Sequence, residues 1–311
     1  MKSTIGIVVK VYGLYSTVLS NNQKINCVLR GKIRQNKDLV RYSNPIAVGD
    51  YVKFEINADG TGVINSILER NNIFSRKEKG KNKKEDIIAT NLDLIIIIQS
   101  FRKPKLNLRF VDRLLLRGDK ENIPVILCVN KLDLSTNDII EYINNYYLDA
   151  QIDVLMTSAI TGEGLDRLSE VTSHKTSLFV GNSGVGKTSI LNFLFPGINL
   201  RTSDVSESTK KGRHTTANVE MIKLSENTGI IDTPGVREFG LMDIQPHMLG
   251  QYFNEFKNYL DGCEFRPCTH YHEPNCEVKR QVELGNIFKD RYISYLNIFH
   301  SLKKYYESKY N

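Results

Sequence analysis

Eight consecutive residues of this chain, Gly181-Asn182-Ser183-Gly184-Val185-Gly186-Lys187-Thr188, followed by Ser189, have the spacing G-x-x-x-x-G-K-[ST] of a phosphate-cradling loop. Small residues let backbone N–H groups approach phosphate oxygens, and the start of the following helix adds positive potential. In that chemistry Lys187 reaches the β- and γ-phosphates, and the Thr188 hydroxyl ligates Mg²⁺. A second stretch, Ile230-Ile231-Asp232-Thr233-Pro234-Gly235, ends an apolar run on a carboxylate. Asp232 is placed to hold Mg²⁺, and the Gly235 N–H to report the γ-phosphate. A third, Asn130-Lys131-Leu132-Asp133, selects the base. The Asp133 carboxylate can accept from guanine N1–H and the 2-amino group, a donor pair that adenine lacks. Lys131 would pack its stem along the base and Asn130 would brace the loop. Thr157-Ser158-Ala159 would offer the Ala159 N–H to guanine O6. The expected ligand is GTP with Mg²⁺.

A separate cluster reads Cys263-x₄-Cys268-x-His270-x₅-Cys276. Three thiolates and one imidazole make a closed tetrahedral set, which suits one structural Zn²⁺ and leaves no open position for catalysis. His272 is the rival nitrogen ligand. Five cysteines with no regular framework point to a reducing, cytoplasmic setting and not to a secreted disulfide scaffold.

The elements that must position these groups follow from pattern. The runs "LDLIIIIQS", "IPVILCVNK", "IDVLMTSA", "HKTSLFVGNS" and "TGIIDTPG" are buried strands that carry their polar residues at the C-terminal end, where ligands bind in open α/β sheets. Residues 1–70 alternate in short strands broken by Gly and Asn, the pattern of an oligonucleotide-binding type (OB-type) β-barrel. The charge run at 76–84 marks residues 71–84 as a basic linker. A GTPase domain over 85–245 and a helical zinc-binding module over 246–311 complete a multidomain α/β organisation.

Charge is uneven along the chain. Residues 1–70 hold ten basic against five acidic side chains and 71–84 six against one, whereas 85–245 hold 17 against 21. The front of the molecule therefore faces a polyanion such as RNA, or carries a solvated basic surface. The longest apolar run is too short to span a bilayer, so no membrane partner is expected.

Ordinary guanine-nucleotide switches place the phosphate loop before the base-reading motif, and here the order is reversed. Joining the ends of a sheet domain and opening it elsewhere gives this order while leaving the site intact. The front barrel, "VGDYVKF", "IATNLD", "NKLDL", "TSAITGEGL", "GNSGVGKTS", "GRHTT", "DTPGVREFG" and the cysteine cluster, in that order, resemble the circularly permuted GTPases of ribosome assembly. Within these the similarity is to the bacterial small ribosomal subunit biogenesis GTPase family. The resemblance implies a monomer that hydrolyses GTP slowly alone and faster on the small ribosomal subunit and its rRNA, late in subunit maturation. A GTP-gated RNA-binding scaffold with incidental turnover is the alternative, and a phosphate-loop kinase leaves the guanine motifs unexplained.

The resemblance also fills a gap in the chemistry. The residue after DTPG is Val236, which cannot orient a water, and the family's G-R-H-T-T stretch assigns that task to His214. Thr216 is the expected switch threonine on Mg²⁺, with Thr215 the rival. His214, Lys187 and Thr216 form the expected catalytic set. Chain order also runs the Asp232–Gly235 loop straight into the C-terminal module, so loss of the γ-phosphate would be able to shift that module.

Overall fold

The computed structural model describes residues 3–34, 42–77, 84–197, 219–225, 227–233 and 244–310. The front module contains β1 (Thr4–Tyr12), β2 (Tyr15–Ser20), β3 (Gln23–Leu29), one helical turn α1 (Gly31–Arg34), β4 (Tyr51–Ile56) and β5 (Gly62–Ile67). Pairing runs β1-β2-β3-β5-β4 and returns to β1, with only β3–β5 parallel, so the sheet closes into a five-stranded barrel. Alternate side chains Val18, Ile25, Cys27, Val52, Phe54 and Ile64 fill its interior. Strand β1 is buried on both faces: Val8 faces the barrel core, while Ile7 and Val9 join the core of the neighbouring domain. Of the barrel tyrosines, Tyr42 is buried, whereas Tyr12, Tyr15 and Tyr51 are exposed.

The expected linker is partly a hairpin. β6 (Ile73–Lys77) pairs antiparallel with β7 (Glu85–Thr90), and only residues 78–83 between them lie outside the described residues. The charge run hides this because its first residues, Arg76 and Lys77, are themselves the end of β6. Phe74 is fully buried against the shared core, while Arg76 reaches Asp86 across the pair at 3.1 Å. The junction to the barrel is polar and satisfied: Arg70 Nε and Nη2 donate to the two Asp50 carboxylate oxygens, each at 2.7 Å. Thr90 Oγ1 adds a third donor to Asp50 at 2.8 Å.

The middle domain is built from β8 (Leu94–Ser100), α2 (Leu108–Lys120), β9 (Val125–Asn130), α3 (Asn137–Leu148), β10 (Asp153–Met156), α4 (Leu165–Thr172), β11 (Thr176–Val180), α5 (Lys187–Leu194), β12 (Glu220–Lys223) and β13 (Gly229–Asp232). Strand order is β10-β9-β8-β11-β13-β12, all parallel except β12. Strand β8 is buried along its whole length, as its unbroken isoleucine run requires. The circular order of loops costs the site nothing, because β11 lies between β8 from the first half of the domain and β13 from the second. At the far edge β12 pairs with β1 of the barrel at Lys10 and Glu220, whose side chains form an ion pair at 2.7 Å.

The C-terminal module comprises a 3₁₀ segment (Pro246–Tyr252), α6 (Asn254–Lys257), α7 (Glu277–Glu283) and α8 (Lys289–Tyr310) around buried Phe253, Phe256, Tyr295 and Phe299. It is clamped to the middle domain by charge. Arg291 of α8 is buried between Asp112 of α2, to which Nη1 donates, and Glu255 of α6, to which Nε donates at 2.6 Å. Burial opposes its charge, but Asp112 and Glu255 outweigh that and raise its pKa. Tyr146 of α3 also donates to Asp112, at 2.7 Å, and the guanidinium lies 4.9 Å from the Phe253 ring centre. Removing one partner would strand a buried charge, so this contact fixes the module's place strongly. Any nucleotide-driven shift of the module, expected from chain order, must work against that clamp.

Candidate guanine-nucleotide and metal sites

The loops after β9, β10 and β11 meet at the C-terminal end of the sheet, where β13 ends on Asp232. The phosphate loop leaves β11 beneath β8, where a β-carbon on Gly181 would stand 2.3 Å from Ile98 O. At its other end Gly186 has φ +97°, and a β-carbon there would sit 2.2 Å from Asn130 Nδ2. Glycine is thus demanded twice over, by conformation and by the base-reading loop pressed against it. Lys187 opens α5 and curls its ammonium back over the loop, donating to Gly181 O at 2.6 Å and Asn182 O at 3.2 Å. Those carbonyls hold the charge where phosphate oxygens would compete for it. Burial lowers the Lys187 pKa, and the nearby Asp232 carboxylate counters this.

Asp232 ends β13. Burial raises its pKa, opposed by Lys187 and by the Thr233 N–H. Its Oδ1 is buried and has no hydrogen-bond partner among the described residues. A buried, unpartnered carboxylate oxygen is a hard donor that fits Mg²⁺. Thr188, the other expected ligand in the described residues, is half-buried in the first turn of α5. His214, Thr215, Thr216, Gly235 and Val236 lie outside the described residues.

Asn130 is buried at the end of β9 and ties three loops together. Its Nδ2 donates to Val185 O at 3.0 Å, and its Oδ1 accepts from Ala159 N at 3.1 Å and Thr157 Oγ1 at 3.3 Å. The Ala159 N–H therefore does not stand free, as expected for guanine O6, because the nearest acceptor is the Asn130 amide; O6 would have to share or displace that bond. Lys131 takes the left-handed conformation, φ +65°, and donates to Gly184 O at 2.7 Å and to Lys103 O. Burial lowers its pKa and Asp133 raises it. Asp133 is exposed, with Oδ1 fixed by the Ser158 hydroxyl at 2.6 Å. The Lys103 carbonyl was not foreseeable, since "FRKPK" carries no motif and reaches the site only through the crossover after β8.

The Cys263, Cys268, His270 and Cys276 ligand atoms all lie within 4.8 Å of one another. Cys263 Sγ to Cys276 Sγ is 3.9 Å, and His270 Nδ1 stands 3.6 and 3.4 Å from those two sulfurs. A tetrahedron around Zn²⁺ has edges of about 3.8 Å between sulfurs and about 3.6 Å between sulfur and nitrogen, from the usual bond lengths. The set fits the ion. Burial pushes the His270 imidazole down to about 4, which keeps it neutral as a ligand must be. His272 is exposed and outside the cluster. A supporting carboxylate emerged only in the fold: Glu273 Oε1 accepts from Thr269 N and Oγ1, and Oε2 from Tyr271 N, shaping the turn that carries His270. Tyr292 and Tyr295 anchor the same turn through the His270 and Thr269 carbonyls.

Comparison with known proteins places this geometry. The family model described as RsgA GTPase matches residues 67–242, and the RsgA N-terminal domain matches residues 5–64. The chain belongs to the RsgA GTPase family. The small ribosomal subunit biogenesis GTPase RsgA of Flavobacterium johnsoniae is 36% identical over 97% of this chain and 95% of its own. The Chlorobaculum tepidum protein of the same description is 37% identical over 97% and 99%. In structure the chain is similar to YjeQ from Thermotoga maritima, with TM-score 0.76 and 30% identity over 97% of this chain and 99% of that one. It is also similar to YloQ, described as a circularly permuted GTPase, with TM-score 0.70 and 29% identity over 97% and 96%. Membership makes the chain a GTPase with a circularly permuted core, and explains why loops in reversed order assemble one site. Among the described residues no helix is long and apolar enough to cross a membrane.

Proposed function

We propose that this chain hydrolyses GTP in the service of small ribosomal subunit biogenesis in the cytoplasm, as a monomer stimulated by that subunit late in its maturation. The observation that carries the reading is full-length similarity to relatives described by that role, joined to motif residues that stand at the C-terminal ends of β9, β10, β11 and β13 in one sheet. Asp133 and Ala159 read guanine, with Asn130, Lys131 and Ser158 as supports. Residues Gly181 to Ser189 cradle the phosphates, and Thr188, Thr216 and Asp232 would hold Mg²⁺, which would supply positive charge to the phosphates. Lys187 stabilises negative charge on the transferred group, and Gly235 senses its presence. His214 orients the attacking water, because Val236 has no polar atom to do so.

The barrel supports an rRNA partner. Tyr12 and Tyr15 are exposed and stack with ring centres 5.9 Å apart, a platform suited to unpaired bases, within a module rich in basic residues. The domain division 1–70, 71–84, 85–245 and 246–311 stays useful as a proposal for function, with residues 73–77 assigned structurally to the β6–β7 hairpin. Changing His214→Ala tests the catalytic assignment. Turnover should fall by about an order of magnitude or more while GTP affinity holds. Unchanged turnover would remove His214 from the mechanism.

A further inference from the structure

Beside the base-reading loop, and separate from the contacts described for guanine, lies a cavity of about 550 Å³ that no step of GTP hydrolysis uses. Its volume is in the range of small-ligand sites. Phe101, Leu134 and Ile139 supply apolar walls, and Arg102, Lys103 and Lys105 stand around it. Three cations in four residues are unusual in a domain whose balance is 17 basic to 21 acidic residues. Its position is equally specific. The carbonyl of Lys103 accepts from Lys131, whose ammonium also bonds the phosphate-loop carbonyl Gly184 O, and Leu134 follows Asp133 directly.

We propose that this cavity is a docking site for one unpaired nucleotide of RNA. The base would enter between Phe101, Leu134 and Ile139, and the flanking phosphates would meet Arg102, Lys103 and Lys105. Charge complementarity selects the occupant: an apolar slot of base size edged by cations matches a planar base carried on a phosphodiester, and repels basic peptides. An acidic peptide shares the charge but fills a flat slot only where it carries an aromatic side chain, whereas every nucleotide brings a planar base. The wiring through Lys103 O gives the site a consequence. An occupant that fixes the 101–105 loop also fixes Lys131 against Gly184, so RNA contact would steady the guanine and phosphate loops together. The inference rests on the proposed work at the small subunit, because that reading supplies the RNA.

The test is photo-crosslinking of full-length protein with a hexauridylate containing 4-thiouridine, followed by peptide mapping and by binding titrations over a salt series. Adducts should fall on the segment 101–105 or 134–139 in addition to the barrel. In R102A/K105A, which alters two exposed side chains, crosslinking to these segments should drop about tenfold, and the log–log salt slope of binding should flatten by about 1.4. Asp138→Asn removes the acidic group that lines the cavity and should raise the yield there. Basal GTP turnover should be unchanged in both variants, which serves as the folding control. Adducts confined to the barrel, or yields unaffected by either variant, would overturn the site. Polyglutamate displacing the label from these segments better than unlabelled hexauridylate would instead assign an acidic protein segment and overturn the RNA occupant. Absence of stimulation by small subunits in the parent protein would sink the functional reading, while the crosslink map judges the cavity independently.

Discussion

Asn130 is the residue at which the reversed chain order is stitched into one site, and its replacement has a calculable cost. The side chain is 1% exposed and is used in both senses, as donor to Val185 O and as acceptor from Ala159 N. Asn130→Ala strands both backbone groups, at about 1–3 kcal/mol each, or about 2–6 kcal/mol together. A water admitted to the gap would recover part of this, so about 3 kcal/mol is expected. Without the brace the two loops relax in the free protein and nucleotide must re-order them, so most of the loss should appear in binding, as an affinity for GDP or GTP about 100-fold weaker. Asn130→Asp sharpens the test. It keeps the acceptor for Ala159 but turns a second oxygen toward Val185 O, so it should bind no better than the alanine variant. Titration with a fluorescent guanine nucleotide, alongside thermal melting, separates affinity from folding. If both variants bind within about threefold of the parent, an error of well under 1 kcal/mol, Asn130 is not the brace described.

Other perturbations probe the base and the metal. Asp133→Asn should weaken GTP binding by about two orders of magnitude and shift preference toward xanthosine nucleotides, checked by competition binding; retained guanine preference would show that another group reads the base. Elemental analysis of protein purified without chelator should find about one zinc per chain. His270→Ala should release the metal and loosen the C-terminal module, seen as a lower melting temperature, whereas His272→Ala should do neither.

Much of this architecture was legible because its signals are local. The phosphate loop, "NKLD", "IIDTPG" and the Cys/His spacing each specify chemistry within fourteen residues or fewer, and an unbroken isoleucine run announces a central strand such as β8. Contacts between distant segments were not legible. Arg291 meets Asp112 across 179 residues of chain, and nothing in either neighbourhood marks them as partners. The β6–β7 hairpin was masked by charge, since the run from Arg76 to Lys84 reads as solvated while Phe74 and Ala89 do the burying. The Ala159 N–H illustrates a third limit: the motif fixes which donor lies at the strand end, but the acceptor it meets is set by packing of Asn130 from another loop.

The central claim, that a permuted GTPase site is governed by the small ribosomal subunit, is tested most directly by one turnover measurement. GTP hydrolysis by the full chain is followed with and without purified small subunits, for the parent and for Y12A/Y15A. The parent's rate should rise by about an order of magnitude or more on adding subunits, a smaller floor than the ~10³–10⁵-fold that an activating partner's arginine supplies to GTPases. The tyrosine variant should keep the basal rate and lose most of the rise. A parent rate indifferent to small subunits would contradict the claim.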